Sequence, residues 1–138
     1  MWQNEVTIKS SATPQQIWSV WSDVKNWREW DNEVEWSEIN GKFEVGATGV
    51  LKPKGGPKSN FKMIACEPYK SFTDRSFLPL CKIDFIHEIH QIGGGITISH
   101  KVQISGFLTF LFSKVIGNKI IKELPKAMEK LNQIAITK

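Results

Sequence analysis

Two histidines, His87 and His100, are the side chains of this sequence best suited by type and spacing to acid–base chemistry. Each lies in a stretch that alternates apolar and polar residues, "CKIDFIHEIHQI" and "ITISHKVQIS", which predicts two β-strands. A two-residue turn at Gly93–Gly94 would join the strands as a hairpin. Counting back from the turn places His87 directly opposite His100, and side chains in such a pair lie about 4.5–5.5 Å apart at Cβ. We therefore expect the two imidazoles to be neighbours.

The register of this hairpin is well determined, because both strands carry one apolar face. Phe85 and Ile89 share a face with the first histidine, and Ile98 and Val102 share a face with the second. One extra residue in the loop would put the two apolar faces on opposite sides of the sheet. We therefore expect the histidine pair on the concave, apolar face.

Two interpretations of the histidine pair stay open. The pair is either a neutral buried pair, satisfied by each other, by a neighbouring hydroxyl or by water, or a source of polar contacts and one acid–base group in an apolar pocket. A metal site is disfavoured, because no third ligand is evident and two imidazoles alone rarely hold zinc. The sequence predicts no metal and no cofactor.

Asp74 is the carboxylate that could join the histidines as a catalytic candidate. A tight turn at the Pro-Tyr dipeptide of "ACEPYKSF" would place Met63 opposite Asp74. The same turn would place Ala65 opposite Phe72. A slip of one residue would put Arg75 on the concave face instead, and the turn does not decide between them. A charged residue there is costly unless it is paired or hydrated, so it would indicate water or a polar ligand group in the interior. A strand-edge residue that reaches solvent is the alternative.

The elements that must position these groups can be followed along the chain. "EVTIKS" predicts a first strand, and "TPQQ" starts a helix with Thr13 as N-cap and Gln16 completing a capping box. A second short helix follows. Six strands come next: "EVEWSEI", "ATGVLK", "SNFKMIACE", "SFTDRSF", "CKIDFIHEIHQI" and "ITISHKVQIS". A helical pattern then runs from about Phe107 to Ala135.

This order of elements predicts an α+β fold in one domain over residues 1–138. Consecutive strands joined by short turns form an antiparallel sheet with one buried face. The last helix is the only element large enough to cover that face. Its apolar stripe comprises Ile120, Leu124, Ala127, Met128, Leu131 and Ala135.

Two segments resemble a known family. "IWSVWSDVKNWREWDNEV" resembles the helix–helix signature of polyketide cyclase/dehydrase-type proteins of the START-like, helix-grip superfamily. The segment from "FIHEIHQIGGG" to "ELPKAMEKL" is similar to that family's last hairpin and long helix. The resemblance implies a curved antiparallel sheet wrapped around the C-terminal helix, with a largely apolar internal cavity. Members include lipid carriers, cyclases, dehydratases and partner-binding proteins, and no fixed catalytic set carries over.

Five of the six tryptophans lie in "WSVWSDVKNWREWDNEVEW". We expect most of them to pack in the interior, because their acidic neighbours repel phosphate and argue against a base-stacking surface. Nucleic acid is therefore not an expected partner. The residues predicted to contact a ligand are Trp30, Trp36, Phe61, Met63, Phe85, His87, Ile98, His100 and Phe110.

Charge and composition set weaker expectations. The net charge is +4 and the pI about 9.1, which alone indicates no particular partner. Two cysteines and no secretory pattern predict a reduced, cytoplasmic protein. The apolar stretch "GFLTFLF" is expected to act as a lid that packs on loops, with a homodimer contact as the alternative to a monomer. Membrane contact through it stays open but is not expected.

The function predicted from these features is binding of a small hydrophobic molecule, such as a lipid, isoprenoid, polyketide or other aromatic, in the internal cavity. The alternative is a cyclase or dehydratase that uses His87 and His100 as acid–base groups. A third hypothesis is a protein-interaction module that acts through the apolar start of the last helix. The sequence does not separate carrier from enzyme, and it does not name the ligand.

Overall fold

Apolar and polar residues alternate along most of the strands, so these strands turn one face toward the interior. The computed structural model describes residues 1–138. In chain order the elements are β1 (Trp2–Ser10), α1 (Pro14–Trp21), a 3-10 helix (Val24–Glu29), β2 (Val34–Ile39), β3 (Thr48–Pro53), β4 (Ser59–Glu67), β5 (Ser71–Leu78), β6 (Cys81–Ile92), β7 (Gly95–Ser105) and α2 (Thr109–Ala135).

The seven strands form one antiparallel sheet in the order β1-β7-β6-β5-β4-β3-β2. The sheet curls around α2, which contacts β1, β7 and α1. The predicted α+β helix-grip architecture is confirmed. None of the helices combines the length and apolar character needed to cross a membrane.

The start of α1 forms as the sequence predicts. The Thr13 hydroxyl accepts a hydrogen bond from the backbone N–H of Gln16, and the Gln16 side chain accepts one from the N–H of Thr13. These two bonds satisfy N–H groups that the first turn of a helix leaves free. α1 then buries Ile17, Val20 and Trp21 on one face. This face closes one end of the curled sheet.

The β6–β7 hairpin has the predicted register. His87 pairs with His100, Ile89 pairs with Ile98, and the turn leaves two residues between the paired ends. Gly94 adopts a φ of 89°, a conformation that costs glycine little and other residues more. The turn therefore fixes which side chains of the two strands meet.

The β4–β5 connection differs in part from the prediction. Met63 pairs with Asp74 as expected, but the predicted pairing of Ala65 with Phe72 is wrong, because Cys66 pairs with Phe72. The turn holds three residues, one more than a tight turn, and its middle residue has a φ of 66°. An irregularity between Met63 and Ala65 then restores the expected register. The extra residue in the turn and the irregularity in β4 thus compensate each other, and Asp74 has the predicted partner.

Two apolar clusters fill the space between sheet and helices. The larger one packs α1, the 3-10 helix and the C-terminal half of α2 onto the middle of the sheet. The smaller one packs the N-terminal half of α2 onto the ends of β6 and β7. Its buried members are Cys81, Ile83, Val102 and Ile104.

Candidate functional site

The two histidines meet on the concave face, within the larger cluster. Their ring centroids lie 4.6 Å apart, with the ring planes 73° apart. His87 is 6% exposed and His100 is 3% exposed. The hairpin thus places two polar rings side by side in an interior that is otherwise apolar and aromatic.

Hydrogen bonds set the tautomer of each imidazole. The indole N–H of Trp21 donates to Nε2 of His100 at 3.3 Å, so this nitrogen carries a lone pair. Nδ1 of His87 lies 3.2 Å from the carbonyl oxygen of Phe72, which can only accept, so Nδ1 carries the hydrogen. The ring of His87 also stacks on that of Phe72, with centroids 3.9 Å apart and planes 6° apart. Each neutral ring therefore carries its hydrogen on Nδ1.

Burial keeps both imidazoles neutral at physiological pH. Loss of hydration lowers the pKa of His87 from 6.5 to about 3. Loss of hydration also lowers the pKa of His100 well below its ordinary value, and the neighbouring His87 adds to this shift. Both rings are therefore neutral in the resting protein, and each has one N–H that can donate a hydrogen bond and one nitrogen that can accept one.

Asp74, and not Arg75, faces the interior. Asp74 is 3% exposed, and its Oδ1 lies 3.9 Å from Nδ1 of His87. Arg75 points to the opposite face, where its guanidinium binds both carboxylate oxygens of Asp84 at 2.7 and 3.0 Å. Burial raises the pKa of Asp74 to about 8, so at neutral pH it is a protonated acid. Its contact with His87 is therefore between neutral groups.

Two buried polar atoms of this region have no hydrogen-bond partner in the protein. They are Nε1 of Trp30 and Oδ1 of Asp74. The Trp30 ring contacts His100, with centroids 5.8 Å apart, while Asp74 lies beside His87. The two unpaired atoms therefore flank the histidine pair. Buried polar groups are almost always hydrogen-bonded, so each of these calls for an explanation.

Residues 1–135 match the family described as "Polyketide cyclase / dehydrase and lipid transport". The chain belongs to this family. A comparison with curated proteins found no match.

Solved structures with the family's fold resemble the chain over nearly its whole length. The di-domain ARO/CYC StfQ from the steffimycin biosynthetic pathway has a TM-score of 0.78 and 9% identity, over 98% of this chain and 50% of that one. Protein MLL2253 from Mesorhizobium loti has a TM-score of 0.75 and 18% identity, over 96% of each chain. A Thalictrum norcoclaurine synthase mutant with a transition state analogue has a TM-score of 0.73 and 14% identity, over 99% of this chain and 94% of that one. The chain spans half the length of StfQ, and identities this low show the shared fold alone.

Within this family fold, the other predicted ligand residues are not all brought to the histidines. Phe61, Met63 and Ile98 lie with Trp30 in the larger cluster. The first three are at most 1% exposed, and Trp30 is 5% exposed. Phe85 is half-buried and packs on the smaller cluster. The remaining two stand apart: Trp36 is half-buried outside both clusters, and Phe110 is 64% exposed. No group of three or more histidine, cysteine or acidic side chains is arranged to hold a metal ion.

Asp31 is a residue of this region that the sequence analysis missed. It is half-buried just after the 3-10 helix, and its Oδ1 accepts a hydrogen bond from the N–H of Glu33 at 3.0 Å. Loss of hydration, with smaller contributions from Glu33 and Glu123, raises its pKa to about 6. The negative charges of Asp84 and, to a smaller extent, of Asp31 add to the burial that raises the pKa of Asp74. In sequence Asp31 reads as one member of an acidic surface run, and no local pattern marks it otherwise.

A surface depression reaches this region from outside. It has a volume of about 250 Å³, and Trp30 and Val20 form its buried wall. The polar residues around it are Asp23, Asn26, Glu29 and Lys138. The indole with the unpaired N–H thus lies between the histidine pair and solvent.

The neutral state of the histidine pair can be tested by NMR titration. We expect neither imidazole to become protonated between about pH 8 and pH 5, because burial lowers the pKa of both below the ordinary 6.5. The unfolded chain then binds protons more readily than the folded protein does. The contribution of the pair to the free energy of unfolding is therefore complete above about pH 6.5 and is lost as the pH falls below this value. The exposed third histidine is removed by His90→Gln, which leaves only the signals of the pair. Titration of either ring near 6.5 would contradict its burial.

Proposed function

We propose that the chain binds a small, largely apolar molecule that carries an oxygen acceptor, next to the histidine pair. The observation that carries this proposal is the pair of unpartnered buried atoms, Trp30 Nε1 and Asp74 Oδ1, on either side of His87 and His100. Lipids, isoprenoids, polyketides and other aromatics with a carbonyl or hydroxyl group meet this description. The family's description, with its cyclase, dehydrase and lipid-transport members, is consistent with such a ligand.

The polarity of the two atoms favours an acceptor group on the ligand. The indole N–H of Trp30 can only donate a hydrogen bond. The carboxyl of Asp74, held protonated at neutral pH by its raised pKa, also has an O–H to donate. A carbonyl or hydroxyl oxygen of a ligand can accept a hydrogen bond from one of these donors, whereas a hydrocarbon would leave both donors unsatisfied at a cost of about 1–3 kcal/mol each.

Entry of a ligand requires side chains to move. Phe61, Met63 and Ile98 are closely packed at this position, with at most 1% of each exposed. Met63 is unbranched and adapts to a changed space more readily than the ring or the β-branched chain. The depression of about 250 Å³ at Trp30 is a candidate entrance, because Trp30 belongs to the same apolar cluster as these residues.

An enzymatic role is the second candidate, and the raised pKa of Asp74 favours it. A neutral carboxylic acid can protonate a leaving hydroxyl, while Nε2 of a neighbouring imidazole, the ring nitrogen without the hydrogen, is the candidate proton acceptor. Asp74 and His87 provide these two groups, and Oδ1 of Asp74 lies 3.9 Å from Nδ1 of His87. Dehydration or aldol-type cyclisation of a carbonyl compound needs this combination of acid and base. Asp74→Asn distinguishes ligand binding from acid catalysis, because the amide still donates a hydrogen bond but transfers no proton.

A matched pair of probes tests the binding proposal. We expect 2-acetylnaphthalene to bind with one-to-one stoichiometry and roughly five- to tenfold more tightly than 2-isopropylnaphthalene, because only the ketone accepts hydrogen bonds. Trp30→Phe keeps an aromatic ring but removes the donor, so it should reduce this preference. The measurement is isothermal titration calorimetry at about pH 7.

Two further variants locate the probe. Met63→Trp fills the interior and should abolish binding of both compounds while circular dichroism shows a folded protein. Phe110→Ser changes only the outer surface of α2 and should leave binding unaltered. Equal affinity for the two probes, or loss of binding in Phe110→Ser alone, would refute an interior acceptor site. Native mass spectrometry of protein from its own host would then identify the natural ligand.

A further inference from the structure

The N-terminal half of α2 carries large apolar side chains on the face that points away from the sheet. Phe107, at the entry to the helix, is 80% exposed, Phe110 64%, Leu111 45%, Val115 67% and Ile121 51%. At about 100° per residue, Phe110, Leu111, Val115 and Ile121 fall within an arc of about 140° on one side of the helix. We call these five residues, with Lys114 and Lys122 between them, the outer face of α2. A contiguous exposed apolar surface of this kind marks an interaction site.

The opposite side of the same helix half is already used by the fold. Phe112, Ile116 and Ile120 pack on the smaller apolar cluster. The outer face is therefore not required to hold α2 on the sheet. Polar residues there would serve the fold equally well, so its apolar character needs another explanation.

Leu80 is a further exposed apolar residue, in the turn beside the start of the helix. Its carbonyl oxygen accepts a hydrogen bond from the N–H of Leu108, which fixes the β5–β6 turn beside the start of α2. Leu80 is 67% exposed and adopts a φ of 52°, which is unfavourable for a side chain of this size. The turn thus presents a large apolar side chain to solvent in a costly conformation.

The charges on the outer face are all positive. No acidic residue occurs between Phe107 and Lys122. Lys114 and Lys122 have no ion-pair partner, whereas Lys119 and Lys126, outside this face, pair with glutamates at 3.2 and 3.5 Å. Helices that lie on an anionic lipid surface carry lysines among exposed aromatic and aliphatic side chains, and the outer face of α2 has this composition.

We propose that the outer face of α2 docks on an anionic phospholipid membrane, with its apolar side chains at the level of the acyl-chain boundary and its lysines at the lipid phosphates. A second copy of the chain fits this face less well. A two-fold dimer brings the same surface of both subunits together, so the lysines of one copy would face those of the other with no acidic residue between them. The proposal stands on the surface alone and does not depend on the interior ligand.

Vesicle sedimentation tests this docking with the full chain. We expect binding to vesicles of phosphatidylcholine with about 30% phosphatidylglycerol, weaker binding to phosphatidylcholine alone, and release in about 0.5 M NaCl. Phe110→Ser combined with Val115→Ser should weaken binding at least about tenfold, because two large apolar side chains no longer enter the lipid. Lys114→Glu combined with Lys122→Glu should weaken it to a similar extent at low salt.

A matched control separates the face from the charge of the whole protein. Lys9→Glu combined with Lys42→Glu changes the net charge equally at two exposed positions outside α2 and should alter binding less than about twofold. Circular dichroism checks that every variant is folded. Equal loss of binding in the control, or no loss in the outer-face variants, would overturn the proposal. A dimer seen by light scattering that Phe110→Ser abolishes, with no vesicle binding, would assign the face to a second copy and also overturn it.

Discussion

Replacing Trp21 with alanine is expected to lower the free energy of unfolding by about 3–5 kcal/mol, the range for deleting a fully buried aromatic side chain. Trp21 is 0% exposed. Its ring contacts Phe72 and His87, with centroids 5.3 and 5.6 Å away, and its N–H donates to His100. Deletion removes apolar contacts from the centre of the larger cluster and leaves Nε2 of His100 without a donor. Urea unfolding monitored by circular dichroism gives the loss directly.

Trp21→Phe serves as the control for the hydrogen bond. It retains most of the ring contacts but removes the N–H, so we expect an intermediate loss of about 1–3 kcal/mol. A loss below about 1 kcal/mol for Trp21→Ala would be incompatible with a buried indole. It would instead support a surface role for the tryptophan-rich segment.

Asp74→Asn is expected to stabilise the protein, and the gain should grow as the pH rises. The folded-state pKa of Asp74 is raised from 3.8 to about 8, so the folded protein retains a proton that the unfolded chain loses. Asp74 therefore makes its full favourable contribution to the free energy of unfolding below about pH 4. This contribution is lost as the pH rises to about 8. The stability difference between the variant and the parent should change by at most about 1.4 kcal/mol per pH unit, and by on the order of 6 kcal/mol in total. Unfolding curves at several pH values measure it.

Asp84→Asn is the matched control for this prediction. This substitution makes the same chemical change on the neighbouring strand. The carboxylate of Asp84, however, pairs with Arg75 on the face of the sheet opposite to Asp74. Its replacement removes an ion pair, so it should destabilise the protein or leave its stability nearly unchanged. His87, His100 and Asp31 are present in both the parent and Asp74→Asn, so the pH-dependent difference between them comes from Asp74 and its electrostatic coupling to Asp84 and Asp31. A pH-independent effect of Asp74→Asn would mean that its carboxyl is hydrated.

The histidine pair was predictable because the information that sets it is local. The glycine turn between β6 and β7 fixes the loop length, and strict alternation on both strands allows only one register that buries both apolar faces. The same reasoning fails between β4 and β5. There Tyr69 takes a left-handed conformation and a bulge follows Met63, and neither deviation has a clear local signal. The choice between Asp74 and Arg75 therefore needed the structure.

The unpaired groups of the site could not be derived from sequence. Whether the N–H of Trp30 finds a partner depends on residues far away in the chain, such as His100. The raised pKa of Asp31 likewise depends on water being excluded by other elements and on Glu123 of α2. Sequence patterns specify which face of an element is apolar, but they do not specify which polar atoms the assembled fold leaves without partners.

The pairing of β1 with β7 bears on how the chain folds as it leaves the ribosome. Trp2 lies opposite Ile104, so β1 emerges about 100 residues before the strand that completes its hydrogen bonds. At a synthesis rate of about 5–20 residues per second, β1 waits roughly 5–20 s for its partner. During that interval Val6 and Ile8 are exposed on a nascent segment that could pair with a neighbouring chain. Charged Glu5 and Lys9, alternating with them, make such pairing between nascent chains less favourable.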